Sequence, residues 1–304
     1  MTNADKWSAY WQDEGLGGEV FVNAEGNASP GITRFWQEAF SDSAAGARVI
    51  DLAAGAGAVF RALGNIAGQE RYAADFSTPA LQLVRKDLPD VLTLTCDAAK
   101  PPLADGAFDY VVSQFGIEYA GDAAFEAAGR LLAPGGRLIA LCHYEGGYIH
   151  GNNEAELKAA EATRASNFIG VSTELARALF SRDQARFDAA HGPFQVAERT
   201  VALLTRDVPG GIHTHLYNGF RQLAERYQHY DESDITGWLA AMDADLTRNI
   251  DRLTQICRAA ANESTMRERC ATLSRIGLTN VVLAPFQLPE HDRPVAWHLE
   301  AGRP

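Results

Sequence analysis

The stretch VIDLAAGAGAVF, residues 49–60, combines an acidic residue with two glycines that are two positions apart. It reads as a short buried strand, a turn of small residues and the start of a helix, which is where open α/β sheets bind ligands. Gly55 and Gly57 have no Cβ atom, so the backbone can turn sharply and a ligand can approach it closely. Asp51 and the turn through Ala53 therefore predict a site for a positively charged ligand.

A dinucleotide-binding turn is the alternative interpretation of this stretch. That turn requires G-x-G-x-x-G, in which the third small residue lets the helix pack closely on the strand and the helix N-terminus faces a pyrophosphate. Phe60 occupies the third position here, and Asp51 would repel a pyrophosphate. S-adenosylmethionine (SAM) has an ammonium group, a sulfonium centre and no phosphate, and it suits the stretch better than NAD or NADP.

A second acidic residue follows at a spacing that suits the nucleoside part of SAM. Asp75 ends the strand-like run RYAADF, 18 residues after Gly57. A carboxylate at that position can accept hydrogen bonds from both ribose hydroxyls, and bonds to a charged acceptor contribute roughly 1.5 to 3 kcal/mol. The neighbouring Phe76 is predicted to pack against the adenine ring.

The pattern D-x-x-x-G-x-G, from Asp51 to Gly57, together with Asp75 resembles the class I SAM-dependent methyltransferase family. The runs PPLADGAFDYVVS and LLAPGGRLIAL are also similar to runs of that family, in the same order along the chain. The resemblance covers roughly residues 47–145. It implies SAM as the cofactor and methyl transfer as the activity.

The resemblance also implies roles for three residues beyond the glycine turn. In the family, an acidic residue after the third strand contacts the adenine amino group, and Asp97 matches that position. The backbone N–H of Ala98 would face the ring, and Gln114 would face the methionine portion of the cofactor.

The sequence says less about the residues that bind the methyl acceptor. In methyl transfer from a sulfonium the protein supplies orientation, and a base is needed only when the acceptor is protonated. Glu118 or His143, after the fourth and fifth strands, is a candidate base, and each also reads as an ordinary hydrogen-bonding residue. The substrate contacts predicted nearby are Phe115, Tyr119 and Tyr144.

Aromatic residues near the N-terminus have two interpretations. Tyr10 and Trp11 are predicted to fold over the cofactor, where an aromatic face attracts a sulfonium by a cation–π interaction. Simple packing of this segment onto the core is the alternative. The strand-like pair His213 and His215 has no accompanying carboxylate or cysteine pattern, so no metal site is predicted.

The alternation of short apolar strands with amphipathic helices predicts a doubly wound, Rossmann-like α/β fold. We expect a seven-stranded, mostly parallel sheet with an antiparallel terminal hairpin and a large helical cap insertion. The predicted domains are an aromatic leader at 1–46, a SAM-binding core at 47–149 and 263–304, and the cap at 150–262. Residues 194–206 fit either a helix or a strand.

The net charge, the cysteines and the N-terminal segment bear on the partners and the location of the protein. The 304 residues have a net charge of −12, which argues against nucleic acid and anionic membranes as partners. Four cysteines without CxxC spacing and an N-terminus without an apolar signal segment predict a cytoplasmic protein. We expect a small-molecule substrate and a possible homodimer. The alternatives are a SAM-binding enzyme of another reaction type and a catalytically silent SAM-binding regulatory protein.

Overall fold

The computed structural model describes Trp7, Tyr10 and Trp11 together with residues 29–64 and 68–304. It consists of two compact units, one formed by Met1–Gly151 and Ile256–Pro304 and the other by Asn152–Gln255. Much of the predicted leader lies outside the described residues. The second unit falls within the predicted cap, but the division into leader, core and cap stays a prediction.

The first unit is built on a seven-stranded sheet with the order β3-β2-β1-β4-β5-β7-β6. Its strands are β1 (Arg48–Leu52), β2 (Glu70–Asp75), β3 (Val91–Thr95), β4 (Phe108–Gln114), β5 (Leu132–His143), β6 (Thr279–Phe286) and β7 (Ala296–Gly302). Strands β1 to β5 pair in parallel, whereas β7 pairs antiparallel with both β5 and β6. The predicted Rossmann-like fold with an antiparallel terminal hairpin is confirmed.

The helices that accompany this sheet cover both of its faces. They are α1 (Pro30–Ala39), α2 (Ala58–Leu63), α3 (Thr78–Asp87), α4 (Asp122–Leu131) and, near the end of the chain, α10 (Glu263–Arg275). Side chains of β1 alternate between the two cores, as a strand period of two requires. Val49 packs with α1, α2 and α3, whereas Ile50 and Leu52 pack with α4 and α10. Each apolar residue of β1 is therefore buried.

The strand order places a switch point beside β1. From β1 the chain continues outward to β2 and β3, and it then returns to form β4 on the other side of β1. Connections leave the carboxyl ends of β1 and β4 in opposite directions, which opens a crevice between them. The turns after β1, β2 and β4 are consequently the elements that position a ligand.

The second unit is helical and has its own apolar core. Helices α5 (Tyr148–Ala165), α6 (Phe168–Ser181), α7 (Gln184–Asp207), α8 (Gly211–Glu225) and α9 (Glu232–Ala259) follow one another. The ambiguous run 194–206 belongs to α7, and Phe194 packs in the core with Phe168 and Phe220.

The strand-like interpretation of His213 and His215 is wrong, because both residues lie in α8. Leu216 and Phe220, four residues apart, face the core of the unit, as expected for a helix. The alternation of His213, Thr214 and His215 is too short a pattern to indicate a strand. His213 is buried, and its Nε2 lies 2.7 Å from the Val208 carbonyl oxygen.

The described ranges have neither a membrane-spanning helix nor a metal-binding cluster. No helix there combines the length and the apolar character that crossing a membrane demands. Nor do those same ranges contain a cluster of three or more His, Cys, Asp or Glu side chains suited to a metal ion.

Candidate functional site

A cleft opens where β1, β2 and β4 end. Its lining includes eight of the residues predicted from the sequence: Trp11, Ala53, Gly55, Asp75, Phe76, Gln114, Phe115 and Tyr119. Five further lining residues lie outside the predicted set: Trp7, Ala54, Ala56, Ala58 and Gly116. The fold thus brings half of the predicted site residues together around one space.

The glycine turn forms one wall of this cleft. Gly55 has φ of 52°, and its missing Cβ leaves room for the indole of Trp11. A Cβ atom at this position would lie 2.8 Å from Cζ2 of Trp11. Only glycine combines that backbone conformation with such a close approach at no steric cost.

Asp75 joins the glycine turn to the end of β2. Its Oδ2 accepts a hydrogen bond from the Gly55 N–H at 2.8 Å, and its Oδ1 accepts one from the Ser77 N–H at 2.7 Å. Burial raises the pKa of Asp75, and the backbone N–H donors oppose that increase. The carboxylate therefore both fixes the turn and presents acceptor lone pairs at the cleft.

Asp51 lies in β1, four residues before Gly55, and does not line the cleft. The side chain is buried, and its Oδ1 has no hydrogen-bond partner in the structure. Burial, followed by the charge of Asp75, raises the pKa of Asp51 well above its ordinary value. An unsatisfied carboxyl oxygen at such a place favours a cationic ligand, since a positive charge would stabilise its ionised form.

Hydrogen bonds fix the end of β4 to its surroundings. The Ser113 hydroxyl donates to the Leu52 carbonyl at 2.7 Å and accepts from the Ile117 N–H at 3.0 Å. Oε1 of Gln114 accepts a hydrogen bond from the Trp36 indole N–H at 2.6 Å. The side chain of Gln114 is thus held in a defined orientation at the cleft.

Two residues without glycine's freedom adopt left-handed conformations here. Ala53 has φ of 54° and Phe115 has φ of 51°. A Cβ on Gly116 would overlap the Ala53 carbonyl, so the turns after β1 and β4 are in close contact. Backbone strain of this kind costs about 1–3 kcal/mol per residue and concentrates at functional sites.

Glu118 and His143 are paired with each other and do not line the cleft. Oε1 of Glu118 accepts from the His143 backbone N–H at 2.8 Å and lies 2.7 Å from Nδ1 of the imidazole. Both side chains are buried, and the His143 ring contacts two lining residues, Phe115 and Tyr119. Their role as a base stays a prediction, and the pairing makes Glu118 the group that orients His143.

Several predicted residues lie outside the cleft lining. Asp97 is exposed and accepts a hydrogen bond from the Ala99 N–H at 2.8 Å, while Ala98 is buried. Tyr144 stacks on Trp297 with 4.3 Å between ring centroids, so its ring takes part in core packing. Gly57, the second glycine of the turn, is also absent from the lining.

Trp7 is the aromatic residue among the five lining residues outside the predicted set, whereas the predicted Tyr10 does not line the cleft. The described residues Trp7, Tyr10 and Trp11 are helical. Tyr10 contacts Trp11 and Trp7, but only the two tryptophans line the cleft. Their spacing of four residues places them on one helix face, and that spacing was the available signal.

Comparison with known proteins identifies the domain that holds this cleft. Residues 50–140 match a family model described as a methyltransferase domain. The chain therefore contains a methyltransferase domain, and that domain is similar to those of SAM-dependent methyltransferases. The cofactor of this methyltransferase domain is SAM, and the matched residues contain the glycine turn, Asp75 and Gln114.

Curated relatives share the same part of the chain. A demethylmenaquinone methyltransferase from Beutenbergia cavernae is 35% identical over 116 residues, which are 36% of this chain and 48% of that protein. The ubiquinone/menaquinone biosynthesis C-methyltransferase UbiE from Paraburkholderia phymatum is 36% identical over 125 residues, 37% of this chain and 51% of that protein. The chain thus spans about half the length of these relatives.

Solved structures show a weaker similarity. An S-adenosylmethionine-dependent methyltransferase from Mesorhizobium loti is 23% identical with a TM-score of 0.33, over 36% of this chain and 51% of that one. The assignment of the methyltransferase domain therefore depends on the sequence matches and on the strand order.

Proposed function

We propose that this protein transfers the methyl group of SAM to a small-molecule acceptor. The observation that supports the proposal is the cleft of the methyltransferase domain, where the glycine turn and Asp75 meet beside the ends of β1 and β4. When bound, SAM supplies an electrophilic methyl group, and the protein supplies orientation and exclusion of water.

The residues of the cleft fit the chemical parts of the cofactor. The Gly55 turn suits the positively charged methionine end, and Gln114 would orient it from β4. The unsatisfied Asp51 carboxyl is buried outside the lining, and its charge would favour a cation in the cleft. The buried Asp75 carboxylate suits the ribose hydroxyls, with Phe76 beside the adenine. Asp97 and Ala98 remain the proposed contacts of the adenine edge, although the cleft as it stands does not reach them.

A small-molecule acceptor is supported by the class of relatives that the chain matches. The names of those relatives describe quinone-pathway methyltransferases. Their similarity is confined to about a third of this chain, in and around the cofactor half, so we transfer the class of acceptor and not its identity. A cytoplasmic location, independence of nucleic acid and a homodimer stay predictions.

Calorimetry with SAM and with S-adenosylhomocysteine tests cofactor binding. We expect one site per chain and a weaker affinity in the Asp75→Ala variant. Asp243→Ala, an exposed aspartate of the helical unit, is the matched control and should bind like the parent protein. Absence of heat with both ligands would contradict the proposal.

Product analysis separates methyl transfer from another SAM-dependent conversion. The protein is incubated with SAM and a small-molecule extract, and both products are followed by mass spectrometry. Methyl transfer releases S-adenosylhomocysteine and one acceptor molecule that is heavier by a methyl group in place of a hydrogen. Consumption of SAM without S-adenosylhomocysteine would instead favour another reaction type.

A further inference from the structure

A buried tryptophan of α1 fixes the side chain of Gln114 from behind the cleft. The indole N–H of Trp36 donates a hydrogen bond to Oε1 of Gln114 at 2.6 Å. Trp36 is fully buried and is not among the lining residues, whereas Gln114 is partly exposed and lines the cleft. The hydrogen bond therefore joins the core to the wall of the proposed cofactor site.

Neighbouring elements hold Trp36 in place. The adjacent residue of α1, Phe35, contacts Phe286 of β6 edge to face, with 5.0 Å between the ring centroids. The next residue, Gln37, donates a hydrogen bond from its side chain to the Ala62 carbonyl of α2 at 3.2 Å. Helix α1 is thus tied both to the terminal hairpin and to the helix that follows the glycine turn, so the indole N–H has a fixed place beside the end of β4.

The chemistry of these two side chains decides which end of the amide faces a ligand. An indole N–H is a donor only, so the amide atom beside it must be the carbonyl oxygen. Rotating the amide by half a turn would place its NH₂ group against the indole N–H and would leave that buried donor without an acceptor, which is costly. Gln114 therefore offers its NH₂ group to the cleft.

An NH₂ group distinguishes between the two charged groups at the methionine end of SAM. The NH₂ group of an amide donates hydrogen bonds, so it suits the carboxylate, whereas the ammonium group needs an acceptor. A hydrogen bond to an ionised acceptor is roughly twice as strong as one between neutral groups. The fixed orientation of Gln114 therefore selects the carboxylate as its partner.

We propose that Trp36 is a positioning residue, which turns the NH₂ group of Gln114 towards the carboxylate of the bound cofactor. The inference rests on the proposed function, because that carboxylate belongs to SAM. It adds the group of Gln114 that binds the cofactor and a residue outside the cleft that orients this group.

Two ligands that differ by one carboxylate test the contact on the full chain. S-adenosylhomocysteine has the carboxylate, and its decarboxylated analogue, which ends in an aminopropyl group, keeps the nucleoside and the ammonium group. Calorimetry gives both dissociation constants. Gln114→Met keeps the length of the side chain and removes the NH₂ donor. We expect the dissociation constant of S-adenosylhomocysteine to rise about tenfold or more, because a hydrogen bond to a charged group is lost, and that of the analogue to stay unchanged.

A double-mutant cycle shows whether Trp36 acts through Gln114. Trp36→Phe keeps a buried ring and removes the N–H donor, so the amide can rotate and the preference for S-adenosylhomocysteine over the analogue should fall severalfold. In a Gln114→Met background the same change should leave that preference unaltered, since the group that Trp36 orients is gone. Trp238→Phe, in α9 of the helical unit, is the matched control and should bind both ligands like the parent.

The inference is overturned if Gln114→Met weakens both ligands equally or neither of them. It is also overturned if Trp36→Phe leaves the preference unchanged, which is the result of a merely structural role, or lowers it as much in the Gln114→Met background as in the parent. Failure of the proposed function gives a different result, since S-adenosylhomocysteine would then not bind to the parent protein.

Discussion

Replacing Asp75 by asparagine tests the residue that connects the glycine turn with the proposed ribose site. In the parent protein each carboxylate oxygen accepts one backbone N–H, from Gly55 at 2.8 Å and from Ser77 at 2.7 Å. Asparagine keeps one acceptor oxygen and places an NH₂ group where the other oxygen was. One buried N–H then lacks a partner, which costs about 1–3 kcal/mol in the free energy of unfolding. We expect the lower end, because asparagine also removes a buried charge.

The same substitution should also weaken the binding of SAM. The two ribose hydroxyls would lose a charged acceptor, and bonds of that kind contribute roughly 1.5 to 3 kcal/mol. At 1.4 kcal/mol per decade, the dissociation constant should rise by about 10- to 100-fold. Calorimetry on Asp75→Asn, with Asp243→Ala as the control, gives this ratio, and thermal unfolding gives the stability. An unchanged dissociation constant in a folded variant would refute the assignment of the ribose to Asp75.

Substitutions at three further positions test other contacts of the site. In Gly55→Ala, the new Cβ atom would lie 2.8 Å from the Trp11 indole, at a residue whose φ is 52°. We therefore expect the free energy of unfolding to fall by about 1–2 kcal/mol and the tryptophan fluorescence to shift. An unshifted spectrum would contradict the contact. The pKa of Asp51 is higher in the folded protein than in the unfolded chain. The carboxyl group therefore contributes most to stability when the pH is below the pKa of the unfolded chain, and this contribution is lost as the pH rises through the pKa of the folded protein. Asp51→Asn should therefore be more stable than the parent at pH 8, by a margin that shrinks towards pH 4, and should bind SAM more weakly; an equal melting temperature across that range would argue against the buried charge. Glu118→Ala removes the oxygen that contacts the backbone N–H and Nδ1 of His143, and should lower the free energy of unfolding by about 2–4 kcal/mol. Glu118→Gln keeps one oxygen at this place and should lower it by less. Chemical denaturation compares the two variants.

The fold could be predicted from the sequence because its signals are local and repeated. A buried strand followed by a turn and an amphipathic helix recurs through the first half of the chain, and this alternation allows few topologies. The glycine turn, Asp75 and Gln114 lie directly at strand ends. Their convergence on one cleft therefore followed from the topology alone.

The remaining features depend on contacts between distant residues. The pairing of Glu118 with His143 joins residues 25 positions apart and takes both side chains out of the cleft. Tyr144 likewise stacks on Trp297, a residue far away in the sequence, and its ring therefore packs against the core. Neither arrangement produces a periodic pattern. Trp7 could have been found from its spacing to Trp11, which places both residues on one helix face.

A crystal structure of the protein with S-adenosylhomocysteine would show where the cofactor binds. We expect the ligand in the cleft, with its ribose hydroxyls on the Asp75 carboxylate and its methionine end against the turn at Gly55. Occupancy of another site, or a ribose that makes no contact with Asp75, would contradict it.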